Sequence, residues 1–274
     1  MSRYYTRVCN FYYGSKSKAL IKKAKSLPLN GNNLISFDEI EIISRKSIKK
    51  LSIKKINDLP HLLKKIVKKD IKLITKKKKF KNLNFKTLPK IMGVLNMTPD
   101  SFSDGGKYNK NYLAKKRLNY LFNSGANIVD IGGESTRPGS KPISSKIEWN
   151  RIKYILNNFN KKNFLSLDTR KSHIMEKGIN LGVALINDVS GLSYDKNSIK
   201  VLKKYKIPFV LQHSLGNPDV MQNNPKYKNV LLDIYDFFEK KMDYLRMNGI
   251  DHNNIILDPG IGFGKNLKHN LKLI

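Results

Sequence analysis

Cysteine is almost absent: Cys9 stands alone in a chain of 274 residues. That excludes an intrachain disulfide framework and a cysteine-based zinc site, and it fits a reducing compartment. Long apolar runs are missing too. No stretch approaches the roughly 18 consecutive apolar residues of a membrane-spanning helix. The opening Met1-Ser2-Arg3-Tyr4-Tyr5-Thr6-Arg7 lacks the apolar core of a secretory signal. Acidic residues are few, 21 against 53 Lys and Arg, for a net charge of +32. Arginine is scarcer still, eight of those 53. Nucleic-acid readers depend on Arg for bidentate contacts to bases and phosphates, so the lysine excess reads as solvated surface and argues against a nucleic-acid partner. The expectation is a soluble, cytoplasmic protein with no membrane partner. Its 40 % apolar content suffices for a sizeable core, and its length suits one or two domains.

The basic excess is uneven, since residues 1–89 carry 24 bases and only five acids. The pattern divides the chain into a basic N-terminal accessory region, residues 1–87, and a second domain, residues 88–274. In the first, Arg7 to Tyr13 reads as a strand ending at Gly14, and Ser15 to Lys25 as a compact helix stopped by Leu27-Pro28 and Asn30-Gly31. Leu34 to Ile43 alternates enough to be a second strand. From Ile48 to Ile74, Ile and Leu recur at helical spacing with Lys between them, which predicts one or two basic amphipathic helices. Lys76 to Lys79 reads as a solvated linker. Together these make a small basic α/β extension.

From Leu88 the pattern changes. Short β-branched apolar runs recur at Ile91–Leu95, Asn127–Ile131, Phe164–Leu167, Val183–Ile186, Pro208–Leu211 and Asn254–Leu257. Continuous runs of this length belong to strands buried on both faces, as in parallel sheets. Helix-compatible stretches lie between them, for example Tyr112–Ser124 and Val230–Met247. Six repeated βα units fit a doubly wound sheet or most of a (β/α)8 barrel.

Polar residues gather just after each run. They include Asn96 after the first, Gly132-Gly133-Glu134-Ser135-Thr136-Arg137-Pro138 after the second, and Asp168 after the third. Asn187-Asp188, Gln212-His213-Ser214 and Asp258 through Lys265 follow the fourth, fifth and sixth. The C-terminal ends of parallel strands converge on one face, where ligands bind. Bland readings exist for several of these residues. Asp100 and Asp104 suit turns beside Pro99 and Gly105, Asp188 suits a helix cap, and His213 suits a strand-end core position. Gly260-x-Gly262-x-Gly264-Lys265 lacks the Ser or Thr that a phosphate-binding Walker loop needs after its Lys. Asp168 and Asp258 resist such readings, because a carboxylate ending a buried run needs a partner to offset desolvation.

Two segments are near-exact signatures. Ile91-Met92-Gly93-Val94-Leu95-Asn96-Met97-Thr98-Pro99-Asp100-Ser101-Phe102-Ser103-Asp104-Gly105-Gly106 resembles the first motif of dihydropteroate synthases, and Asp130-Ile131-Gly132-Gly133-Glu134-Ser135-Thr136-Arg137-Pro138-Gly139 resembles the second. The resemblance covers residues 88–274. It implies a TIM-barrel-type fold and a Mg2+-dependent transferase of folate biosynthesis. That enzyme condenses (7,8-dihydropterin-6-yl)methyl diphosphate with 4-aminobenzoate, releasing diphosphate. Carried over residue by residue, it implies that Asn96 ligates Mg2+, that Asp168, Asn187 and Asp258 bind the pterin, and that Thr136 contacts the diphosphate. Arg137 would stabilise the departing diphosphate, and Pro138, Phe102 and Phe263 would wall the aminobenzoate site. Lys265 is grouped with these catalytic loops. The resemblance is compatible with a homodimer.

Two departures stand out. The family usually has a Met-rich segment around the His of its fifth strand, whereas Gln212 and Ser214 flank His213 here. The sequence after residue 88 also falls about two βα units short of the roughly 250 residues of a usual barrel. The expectation is therefore a barrel with only about six βα units, incomplete at its C-terminus and weak or inactive by itself. The alternatives are a pterin-binding, methyltransferase-like module without synthase activity, or an inactive fragment.

Overall fold

The computed structural model describes residues 3–78, 80, 83, 89–98, 110–135, 140–214 and 225–274. The chain divides into two compact units, residues 1–78 and 79–274.

The first unit is an antiparallel sheet with two helices, in the order β1 (Tyr5–Tyr13), α1 (Gly14–Lys22), β2 (Leu27–Leu29), β3 (Asn32–Ile43), β4 (Ile48–Ser52) and α2 (His61–Thr75), with a 3-10 turn at Ile53–Asp58. The long β3 is central. It pairs with β1 from Tyr5↔Ile43 to Tyr13↔Ile35, and β2 and β4 also pair with it. Phe37, Ile40 and Ile42 of β3 form the core with Ile56, Leu59 and Val67. The helix expected to begin at Ile48 is corrected here: residues 48–52 are strand β4, and only residues 61–75 are α-helical. Ser44 makes the difference. Its hydroxyl accepts from the amides of Lys46 and Ser47, closing a turn that lays Ile48–Ser52 along β3. Backbone pairing then outweighs a weak helical periodicity.

The described residues of the second unit form six parallel strands, β5 (Met92–Asn96), β6 (Ile128–Gly132), β7 (Phe164–Asp168), β8 (Leu185–Asp188), β9 (Phe209–Gln212) and β10 (Ile255–Asp258). They lie side by side in sequence order, which is the order of repeated βα units. The helices are α3 (Lys110–Asn123), α4 (Ser145–Asn158), α5 (Ser172–Asn180), α6 (Ser198–Tyr205), α7 (Val230–Met247) and α8 (Leu267–Leu273). Asn229 caps α7 by accepting from the Leu232 amide, and Gly249 at φ +81 follows its end.

Alternation along the strands sorts their side chains into two layers. Leu95, Val129, Ile131, Leu165, Leu167, Ile186, Phe209 and Leu211 face the helices and share their core with Ile152, Ile155, Met175 and Phe238. Ile128, Leu185 and Val210 face the other way and meet Leu83, Phe80 and Ile256 in a smaller apolar cluster. Each such side chain contributes about 1.5–3 kcal/mol on burial, so a one-residue slip, which exchanges the faces, is strongly disfavoured. The fourth strand begins two residues later than its apolar run suggested, which brings Asn187 and Asp188 inside it.

Candidate active site

Five of the six described strands of the second unit end on a polar residue and β6 ends on Gly132, and the register aligns those ends. Asn96 pairs with Gly132, Gly132 with Asp168, and Asp168 with Asn187. Gln212 pairs with Asp258 on the last two strands. Two residues earlier on the same faces stand Ile256, Val210 and Leu185 of the small inner cluster. By the two-residue period of a strand, Asn187, Gln212 and Asp258 therefore point inward above an apolar floor. The structure brings Asn96, Asp168, Asn187 and Asp258 to one end of one sheet, as the sequence expected.

Gly132 shows how close these groups come. A Cβ there would lie 3.3 Å from Asp168 Oδ2 and 3.6 Å from Asn96 Oδ1. The missing side chain leaves open space between a carboxylate and a carboxamide oxygen. Beneath them Asp130, two residues before Gly132, accepts a hydrogen bond at 2.8 Å from Asn187 Nδ2. Among the described residues, Asp130 Oδ1 and Asn187 Oδ1 are buried without a partner, and so is Gln212 Nε2. Burial holds the Asp168 carboxyl well above the usual carboxylate range, and the neighbouring Asp130 pushes it further the same way. Asp130 is raised as well, again by burial.

A buried ionic network supports the segment that follows β6. Glu134 accepts from Arg170 Nε at 3.0 Å and Nη2 at 3.2 Å, from Lys171 Nζ at 2.8 Å and from the Ile143 amide at 2.9 Å. Lys171 Nζ also reaches Glu148 at 2.6 Å, and Thr169 Oγ1 donates to the same carboxylate at 2.5 Å. Arg170 lies 4.0 Å over the Tyr194 ring. Burial alone would raise Glu134, but the hydrogen bonds from Arg170 and Lys171 outweigh it and hold the carboxyl low.

At the other end of the row His213 is buried, with the Phe237 ring edge-on at 4.8 Å. Lys265 Nζ lies 3.2 Å from His213 Nδ1 and donates to Phe263 O at 2.8 Å. Burial, helped by the Lys265 charge, lowers His213 to about 4. Burial likewise lowers Lys265 to about 8, with Asp258 opposing. Lys265 thus ties its own loop, including half-buried Phe263, to the end of β9. Gly260 (φ +68) lets that loop pass tightly, since a Cβ there would fall 2.1 Å from His213 O. Asp188 turns to the helix side and accepts from Ser190 N and Oγ, closing a turn rather than capping a helix. Burial raises it to about 6.

Phe102, Thr136, Arg137 and Pro138 lie outside the described residues. Sequence reasoning gave no site role to Asp130, nor to Gln212, which it noted only at the end of the fifth run and as a departure from the family, although counting by twos from Gly132 and Val210 places both on the inner face. Among the described residues no three or more of His, Cys, Asp and Glu cluster in a way that could hold a metal ion. None of their helices is long and apolar enough to cross a membrane.

A parallel βα sheet whose strand ends present carboxylates and amides over an apolar floor defines a protein that binds a small polar ligand at that end. Comparison with known proteins makes the class specific. Residues 92–274 match the family described as pterin binding enzyme, and the chain belongs to that family. Dihydropteroate synthase of Clostridium beijerinckii is 42% identical over 185 residues, covering 66% of each chain. The Yersinia pestis dihydropteroate synthase, solved in a sulfonamide drug complex, superposes with a TM-score of 0.63 at 38% identity, covering 70% of both chains. The Xanthomonas albilineans enzyme, solved with 4-aminobenzoic acid, gives 0.62 at 34%, covering 68% of this chain and 66% of that one. The chain spans about two thirds of the length of the curated relatives it matches, and its first unit precedes the matched region.

Proposed function

We propose that this protein acts in the cytoplasm as a dihydropteroate synthase, joining (7,8-dihydropterin-6-yl)methyl diphosphate to 4-aminobenzoate to give 7,8-dihydropteroate and diphosphate. The observation that carries this reading is the inner-face set of Asp168, Asn187, Gln212 and Asp258 above Asp130, with buried polar atoms left unpaired. Buried polar groups without partners are costly and rare, and a flat heterocycle rich in donors and acceptors answers them. The family's pterin binding and the relative's 4-aminobenzoic acid supply the two ligand identities.

On this reading Asp168 and Asp258 accept from the N–H groups of the pterin edge, and Asn187, with Nδ2 held by Asp130, offers Oδ1. Thr136 contacts the diphosphate, Arg137 neutralises the departing group, and Pro138, Phe102 and Phe263 wall the aminobenzoate. Lys265 holds the Phe263 loop in place. Asn96 would hold Mg2+. A single neutral oxygen donor at the strand end fits an ion whose remaining positions are filled by diphosphate oxygens and water. When bound, the ion supplies charge neutralisation to the leaving diphosphate. The methylene carbon–oxygen bond breaks with its electron pair leaving on diphosphate. The aniline nitrogen bonds to that carbon and gives a proton to solvent, so no protein nucleophile is needed.

The test is an assay of the protein with both substrates and Mg2+, following dihydropteroate and diphosphate, beside calorimetric binding of a pterin. Diphosphate release that requires both substrates is expected. Pterin binding without turnover would favour a pterin-holding module instead, and absence of pterin binding would overturn the reading altogether.

A further inference from the structure

We propose that Gln212 is a specificity-determining residue of this pocket, donating a hydrogen bond from its side-chain amide to a ring acceptor of the bound heterocycle. The inference rests on the pterin reading of the site and assigns it one more contact. Gln212 is the last residue of β9 and only 3 % exposed, and its Nε2 is buried without a partner among the described residues. It shares the inner face with Val210, which packs into the apolar floor with Ile128 and Leu185. Two close backbone approaches confine it. A Cβ on Gly191 would lie 2.7 Å from Gln212 O, and one on Gly260 would lie 3.4 Å from its Cγ.

The surrounding chemistry is one-sided. Asp168, Asp258 and Asn187 Oδ1 are acceptors, and the Nδ2 group of Asn187 is already engaged by Asp130. A pterin edge rich in N–H groups suits those acceptors, but the same ring system also carries a carbonyl and unprotonated ring nitrogens. These need a donor. Gln212 Nε2 is a buried amide donor on this face that nothing among the described residues satisfies. An unmade hydrogen bond of this kind destabilises the empty protein, and a ligand acceptor at the centre of the pocket removes that penalty on binding. A half-turn of the amide would instead present its carbonyl to a ligand donor.

The experiment titrates 6-hydroxymethylpterin into the wild-type protein, Gln212→Met and Gln212→Glu by calorimetry, and records the melting temperature of each without ligand. Methionine fills a similar volume without a donor, and glutamate keeps only acceptors. The expected result is a loss of about tenfold in pterin affinity for both variants. For Gln212→Met the ligand-free melting temperature should be unchanged or raised, and KM for 4-aminobenzoate unchanged. Wild-type affinity in Gln212→Met would overturn the proposal, as would a loss matched by a lower ligand-free melting temperature, the mark of a purely structural side chain. Full affinity in Gln212→Glu beside weak binding in Gln212→Met would overturn the donor assignment in favour of the carbonyl. Failure of the wild-type protein to bind the pterin would instead overturn the pocket reading on which the proposal stands.

Discussion

Asn187 donates from Nδ2 to Asp130 Oδ2 at 2.8 Å, so an amide at the end of β8 is oriented by a carboxylate on β6, across the intervening β7. That same carboxylate is the charged neighbour that adds most to the effect of burial in raising Asp168.

A pH prediction follows from this pair. Asp168 accepts from ligand N–H groups at both oxygens, and most strongly, when it is ionised, so pterin affinity should fall as pH drops through its elevated pKa. Asp130→Asn removes the adjacent negative charge and keeps an acceptor for Asn187. The acid limb of affinity against pH should therefore move to lower pH. An unmoved limb would show that Asp168 does not feel the Asp130 charge.

Asp188 gives a stability prediction with a definite sign. Its folded pKa of about 6 lies above the unfolded value, so the folded state holds this proton more tightly. The contribution to stability is present below about pH 4 and is lost as pH rises through 6. Asp188→Asn keeps an oxygen acceptor for Ser190 and removes the buried charge. The variant should be more stable than wild type at pH 7, by about 1–3 kcal/mol. The difference should shrink toward pH 4 when melting temperatures are compared across that range.

Gly132 and Gly133 are neighbours with different constraints. Alanine at Gly133 would place its Cβ 2.9 Å from Glu148 O and from Ile152 Cγ2, so α4 must shift. A cost of about 1–3 kcal/mol in urea denaturation is expected. Alanine at Gly132 points instead at Asp168 and Asn96. It should leave the unfolding midpoint nearly unchanged while weakening pterin binding severalfold. Equal effects of the two substitutions on both measurements would contradict this division.

The buried network near β7 supplies the largest expected stability effect. Glu148 is fully buried and its carboxylate is held by Lys171 and Thr169. Lys171→Met leaves two carboxylates, Glu134 and Glu148, without their shared ammonium. A loss of about 3–5 kcal/mol is expected from denaturant titration. Adding Glu148→Gln should recover part of it, because the second substitution removes one of the stranded charges.

The legible parts of this molecule were those with local signals. The apolar runs located all six parallel strands, and residues 230–247 form the expected helix between an asparagine cap and Asn248-Gly249. Asn96, Asp168, Asn187 and Asp258 were recognisable because they end such runs. Strand β4 was misread because Ile48, Leu51 and Lys-rich spacers satisfy a helical period as well as a strand, and the choice was made by pairing with β3. Phe102 and Thr136 to Pro138 lie outside the described residues.

The order of residues alone determined where the parallel strands lie to within a residue or two and which polar groups stand near their ends, because continuous apolar runs and their punctuation are properties of neighbours in the chain. Only the tertiary structure decided that Asp130 would hold Asn187, that Lys171 would bridge Glu134 and Glu148, and that Gln212 would be shut in with a free donor. Those outcomes depend on which strand face the helices cover and on the register between strands far apart in sequence. Both are set by the summed burial of many side chains, which no local segment encodes.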